Sequence, residues 1–317
     1  MQNIKSAAEL QSKMIARAKE LLADGTVNRV IGWEKGLFDY DVTPAVFTSA
    51  DGLDKNFVYN EYCAANLSKY LIEETKKEGK ILAFLKPNDT YSFNQLIKEY
   101  RVKRENTYII GVPCNEEIKS NEDGTLSGEA APCEFCLGKT HVVKDELLGV
   151  AEDETADKEA QNAHRFDKVS EIESKQPDER FDFWRAELSK CIRCNACRNV
   201  CPACSCIQCV FDNPTLGVDQ RIAANSFEEN QFHIIRAFHV AGRCTDCGEC
   251  SRVCPENIPL HLLNRKVIKD LNELYGDYQA GEKVEGDSPL QSYKESDANP
   301  SIIFARSEAC ESHGGKK

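Results

Sequence analysis

Residues 191–209 read CIRCNACRNVCPACSCIQC and residues 244–255 read CTDCGECSRVCP. Each stretch contains C-x2-C-x2-C-x3-C-P, first as Cys191, Cys194, Cys197 and Cys201 before Pro202, then as Cys244, Cys247, Cys250 and Cys254 before Pro255. Three cysteines two residues apart sit on a tight loop that wraps one corner of a cubane, each sulfur reaching a different iron. The fourth points away and, in two-cluster ferredoxins, ligates the other cluster. The proline ends the loop because it removes a backbone donor and fixes its own φ. The spacing therefore predicts one [4Fe-4S] cluster on Cys191, Cys194, Cys197 and Cys254, and a second on Cys244, Cys247, Cys250 and Cys201. Zinc also takes C-x2-C pairs, but a four-coordinate ion leaves the third cysteine of each run and the following C-x3-C-P without a purpose.

The rest of the composition bounds the class. A chain of 317 residues is long enough for two domains. Its 16 cysteines would suggest disulfides in a secreted protein. The opening MQNIKSAAELQSKM, however, has no apolar signal core, so a reducing, cytoplasmic setting is expected, with metal ligands or free thiols. No apolar run approaches the roughly 18–20 residues of a membrane span, which argues against membrane insertion. A net charge of -12 argues against nucleic acid and reads as a solubility device.

Residues 1–150 alternate helical and strand patterns, which predicts an α/β domain with a mostly parallel sheet and crossover helices. A helix is expected over Ile4–Leu22, with Ser6 and Glu9 in capping-box register and Gly25 as its stop. Strands are expected at Arg29–Trp33, Ala45–Thr48, Ile81–Leu85 and Tyr108–Val112, and helices near Ala65–Lys77 and Phe93–Arg101. Ligands in such sheets gather beyond the carboxyl ends of strands, where Lys86-Pro87-Asn88-Asp89 and Gly111-Val112-Pro113-Cys114 fall. Cys133 and Cys136 lie on a loop between Pro132 and Gly138. Together with Cys114 they suggest a third metal site, with Cys63 as the remaining upstream candidate for a fourth ligand. A three-ligand cluster, zinc and plain thiols all fit that pattern.

Residues 151–180 are acidic and poor in apolar residues, reading as a solvated linker or exposed helix. Residues 181–280 hold the cluster runs in an α-helical, bacterial-ferredoxin-like domain, and 281–317 form a polar tail. Phe181, Phe183 and Trp184 are placed to pack over the clusters and exclude water, or to serve as ordinary core. Cys204, Cys206 and Cys209 are not required by two cubanes. They could be small buried hydrophobes, shield a cluster, hydrogen-bond its sulfurs or join another cluster. A helix over Gln231–Ala241 carries His233, Arg236 and His239, to which no chemistry is assigned, and Leu260–Tyr275 forms another after Pro259.

The cluster runs, the segment IIRAFHVAGRCTDCGECSRVCPENIPL and the helix after it resemble the C-terminal ferredoxin domain of deazaflavin-dependent formate dehydrogenase beta subunits. They are also similar to the A subunit of anaerobic sulfite reductase and the beta subunit of sulfhydrogenase. Upstream, ILAFLKPNDTYSFNQLIKEY, NTYIIGVPC and PCEFC resemble the catalytic domain of the same beta subunits, related to that of deazaflavin-reducing hydrogenase. The resemblance covers most of residues 27–280 and implies a third [4Fe-4S] cluster on Cys114, Cys133, Cys136 and a strand-end cysteine. Asn88 stands in that cysteine's place, so another group such as Cys63 or Asp89 would have to serve. The resemblance also implies FAD, although the Gly-rich segment those proteins use near the flavin has no counterpart here.

No G-x-G-x-x-G fingerprint occurs in the chain. The expectation is therefore an electron-transfer subunit of a multi-subunit cytoplasmic oxidoreductase, relaying single electrons between partner redox subunits rather than acting on a substrate. The alternatives are a flavin-containing beta subunit that itself converts two-electron into one-electron transfer, and a metal-stabilised scaffold.

Overall fold

The computed structural model describes residues 7–38, 40–114, 117–120, 126–131, 133–150, 156–212, 226–292 and 294–295. Helix α1 (Ala7–Ala23) buries Leu10, Met14, Ala18 and Leu21 at helical spacing. It stops short of Gly25, whose φ of 76° needs a residue without Cβ. The Ser6 half of the expected capping box lies outside the described residues. Strand β1 (Arg29–Lys35) pairs antiparallel with β2 (Val42–Phe47). Helix α2 (Ala50–Asn56) follows, capped by Ser49, and leads into the short β3 (Phe57–Val58), antiparallel on β1.

The helix expected over Ala65–Lys77 is instead a 3-10 turn at Leu67–Tyr70 followed by a single turn, α3 (Leu71–Glu74). The Asn66 side chain accepts the Ser68 N–H and starts the tighter turn. Strand β4 (Ile81–Leu85) is buried at all five residues, the mark of a central strand. Helix α4 (Pro87–Lys98), strand β5 (Thr107–Gly111), the hairpin β6 (Glu117–Ser120) with β7 (Leu126–Ala131), and β8 (Glu146–Leu147) complete the domain.

The strands are ordered β2-β1-β4-β5-β8, with β3 also on β1. Pairs β1–β4, β4–β5 and β5–β8 are parallel. The expected parallel pairing holds for these three pairs, while β2 and β3 fold back on β1 as antiparallel neighbours and make the sheet mixed. One core joins α1, the sheet and the turn at Leu67–Leu71.

Helix α4 starts at Pro87, not at Phe93. The sequence pattern missed its first turns because Asn88, Asp89, Thr90, Ser92, Asn94 and Gln95 are polar, yet all are buried. Two of them, Asn88 and Ser92, reach the second cysteine run at Asp246 and Thr245.

The acidic stretch forms α5 (Lys158–Asn162), α6 (Asp167–Ser174) and the start of α7 (Pro177–Leu188). Val169 and Ile172 of α6 are buried against Leu262. The chain continues through α8 (Ala196–Asn199), α9 (Ser226–His239), α10 (Glu249–Arg252) and α11 (Leu260–Tyr275). Of the three aromatics expected over the cysteines, Trp184 packs on the core of Leu188, Cys197, Cys250, Ile258 and Leu260. Phe183 instead packs on the Val169 cluster. Phe181 is 59% exposed and shields nothing. Among the described residues, no helix is long and apolar enough to cross a membrane.

Candidate metal centres

The two cysteine runs fold alike. Arg193 and Asn195 have φ of 56° and 62°, and Asp246 and Gly248, at the matching places of the second run, have 56° and 73°. Left-handed backbone costs a side-chain-bearing residue about 1–2 kcal/mol, so a loop that adopts it twice, in the same pattern, is held by its surroundings. In each run the third cysteine then enters a one-turn helix, Cys197 in α8 and Cys250 in α10. The loops turn back alike as well: Arg198 N–H donates to Asn195 C=O in one, and Ser251 N–H to Gly248 C=O in the other. Gly248 is also crowded, since a Cβ there would lie 2.3 Å from the Phe135 ring.

Cys197 and Cys250 share one small core, with Cys191 and Cys254 packed against it. Cys201 lies in another, beside Cys244 and Cys204. Cys254, Cys194 and Cys201 all neighbour Cys197, and Cys201 also neighbours Cys244, Cys247 and Cys250. Burial pushes the Cys250 thiol up to about 11 and raises Cys244 and Cys247 further. As free thiols these would stay protonated at neutral pH; bound metal would deprotonate them.

The surroundings already offer hydrogen bonds to sulfur, which suits thiolate ligands. Arg193 N–H donates to Cys191 Sγ at 3.4 Å, and Asn264 Nδ2 to Cys250 Sγ at 3.6 Å. The residues present therefore fit a pair of iron–sulfur clusters, whose potentials depend on such hydrogen bonds, on charge and on burial.

The α/β domain grips the second run through α4. Ser92 Oγ and Thr245 Oγ1 share a 2.9 Å hydrogen bond. The buried Lys139 Nζ donates to Asn88 Oδ1 at 2.7 Å and to Thr245 C=O at 3.0 Å. Asn88, expected at a vacated ligand position, is thus committed to Lys139. Asp246 receives Arg265 at 2.9 Å and Arg165 at 2.9 Å. Burial alone would raise its carboxyl, but Arg265 and then Arg165 hold it at about 2. Farther along, Glu99 accepts from Arg243 Nε at 2.8 Å and from Ser205 Oγ at 3.0 Å.

Cys114, just past β5, comes together with Cys133 and Cys136, their sulfurs all within 4.8 Å of one another. The loop supplies the geometry: Cys136 N–H bonds Cys133 C=O, and Lys139 N–H bonds Cys136 C=O. Hydrogen bonds from Cys114 and Cys136 hold the Cys133 thiol well below its ordinary value. Cys63 is outside this group. Its Sγ accepts the Asn60 N–H at 3.3 Å within its own turn, and burial pushes its thiol up to about 12. Asp89, the other stand-in for the strand-end cysteine, is buried with Oδ2 lacking a hydrogen-bond partner, and burial raises its carboxyl to about 7. The trio adjoins the second run: Lys139 lies near both Cys136 and Cys247.

Among the surplus thiols, Cys204 hydrogen-bonds Cys201 and draws its thiol down to about 6. Cys204, Cys206 and Cys209 also line a cavity of about 400 Å³ with Lys69, Arg198 and Arg243. Sequence reasoning assigned nothing to α9, yet His233 and Arg236 are buried at its core-facing side. The only available signal was their spacing of three among the apolar residues Phe232, Ala237 and Val240.

This fold and these paired loops define an iron–sulfur protein of the electron-transfer kind. Residues 187–258 match a family model described as a 4Fe-4S dicluster domain. The chain is 21% identical to an F420-dependent formate dehydrogenase subunit beta from Methanocaldococcus jannaschii, over 83% of this chain and 90% of that one. It is 24% identical to an F420-dependent formate dehydrogenase 1 subunit beta from Methanococcus maripaludis, over 64% of this chain and 74% of the relative. Together the matches support the beta-subunit family for this chain.

Proposed function

We propose that the chain is the iron–sulfur subunit of a multi-subunit oxidoreductase, passing single electrons between partner redox subunits through two [4Fe-4S] clusters. One cluster is held by Cys191, Cys194, Cys197 and Cys254, the other by Cys244, Cys247, Cys250 and Cys201. The observation that carries this reading is the doubled loop, with Cys254 packed beside Cys191 and Cys197, and Cys201 beside Cys244. Bound clusters would supply one-electron chemistry. The protein's own residues hold the sulfurs, donate hydrogen bonds to them and, through Trp184 and the α4 face, keep water away. That both relatives are named as subunits supports the company of other redox proteins. Cys114, Cys133 and Cys136 form a third, three-thiolate metal site beside the second cluster.

Protein purified without oxygen should contain about eight irons and eight sulfides per chain from the two clusters, with any further metal belonging to the third site. Zinc in place of iron would contradict the proposal.

In a second reading, the α/β domain also holds FAD and converts two-electron into one-electron transfer. It rests on the resemblance of the upstream segments to those beta subunits, and the first relative's match, at 83% of this chain, reaches into that domain. Protein reconstituted with FAD should then keep flavin absorption through gel filtration; a flavin-free spectrum would dismiss this reading.

A further inference from the structure

Helix α9 lies between the two cysteine runs along the chain and packs on α7 and α11, and Arg236 on it is 2% exposed. Its Nε and Nη1 are sealed from solvent and have no hydrogen-bond partner. A buried guanidinium is tolerated only when opposite charge and acceptors offset its lost hydration. Among the described residues, Asp212, which lines the same cavity as Arg236, is engaged by Arg198 at 2.6 Å. What Arg236 faces is sulfur: Cys250, Cys197, Cys201 and Cys204, with Cys250 in hydrogen-bonding reach. These include ligands of both proposed clusters.

His233, on the same face, is 1% exposed and also lacks partners at both ring nitrogens. Burial, with Arg236 and Arg193 nearby, lowers it to about 3, so it adds no charge. Arg193 lies over the Phe232 ring at 4.0 Å. The cavity lined by Cys204, Cys206 and Cys209 also touches Arg236. Because Nε and Nη1 are closed to solvent, an anion in that cavity would not meet them.

We propose that Arg236 is the shared counter-cation of the two clusters, its buried N–H groups directed at their sulfur, and that it raises the reduction potentials of both. A fixed positive charge favours the more negative, reduced form of a cluster. One charge beside ligands of both proposed clusters acts on both potentials together. The inference rests on the dicluster reading, and its role is positioning charge rather than taking part in a reaction.

The test is a redox titration, followed by electron paramagnetic resonance, of wild-type, R236Q and R236K protein with iron and sulfide counted in each. R236Q with full iron should show both midpoint potentials more negative, by at least tenfold in the one-electron equilibrium, about 59 mV. R236K should stay close to wild type. Full iron in R236Q with unchanged potentials would overturn the inference while leaving the dicluster reading intact. If R236Q loses iron, retention of both clusters by R236K still supports the counter-charge role. Loss in both variants would show a packing role and overturn it. Wild-type protein without clusters would instead sink the dicluster reading itself.

Discussion

Lys139 is buried, yet it carries an ammonium group between Asn88, Thr245 and cysteines of both the trio and the second run. Burial draws its ammonium down to about 8, and the neighbouring Asp246 opposes that loss. Lys139→Met would leave Asn88 Oδ1 without this donor, while Thr245 C=O keeps the Gln279 Nε2 bond at 3.3 Å. A buried acceptor left unsatisfied in this way costs about 1–3 kcal/mol, a loss that anaerobic urea unfolding would register; unchanged stability would remove Lys139 as a clasp. The sequence identified Asn88 as a departure but not its partner, since the pairing spans 51 residues. Cys136→Ser, by contrast, should strip metal from the third site while the iron of the two runs stays. Metal analysis that shows iron falling in the runs as well would tie the sites together.

At the scale of elements, legibility followed apolar periodicity. Helix α1 and strand β4 were readable because their buried residues are apolar and evenly spaced. Helix α4 was not, because the face it buries is polar and satisfied only by residues far along the chain, such as Thr245. Helix α6 was read as linker or exposed helix because only Val169 and Ile172 interrupt its charges, and one helical stripe two residues long is a weak signal. Those two residues tie α6 to α11 through Leu262. Ile172→Ala should therefore cost about 2 kcal/mol, the lower end for an aliphatic truncation at an incompletely buried site. A thermal melt of the intact protein checks this, and a loss near zero would mean that α6 merely rests on α11.

Across the whole molecule, the sites stand in contact order. The trio at Cys114, Cys133 and Cys136 meets the second run through Lys139 and the Phe135–Gly248 approach. The second run meets the first through the core shared by Cys250 and Cys197. The α/β domain thus brings three cysteines together past its strand β5 and holds the second run against α4, a layout suited to carrying charge from one domain into the other if metal binds there. Spacing alone announced the two runs, since ligand order is written in consecutive residues. The cation between them was illegible, because its meaning depends on which sulfurs α9 passes. The most direct test of the relay is electron paramagnetic resonance of the dithionite-reduced protein. The account predicts two interacting [4Fe-4S] signals that integrate to about two spins per chain. A protein that binds its metal but stays silent on reduction would contradict it, leaving the cysteine runs as structural staples.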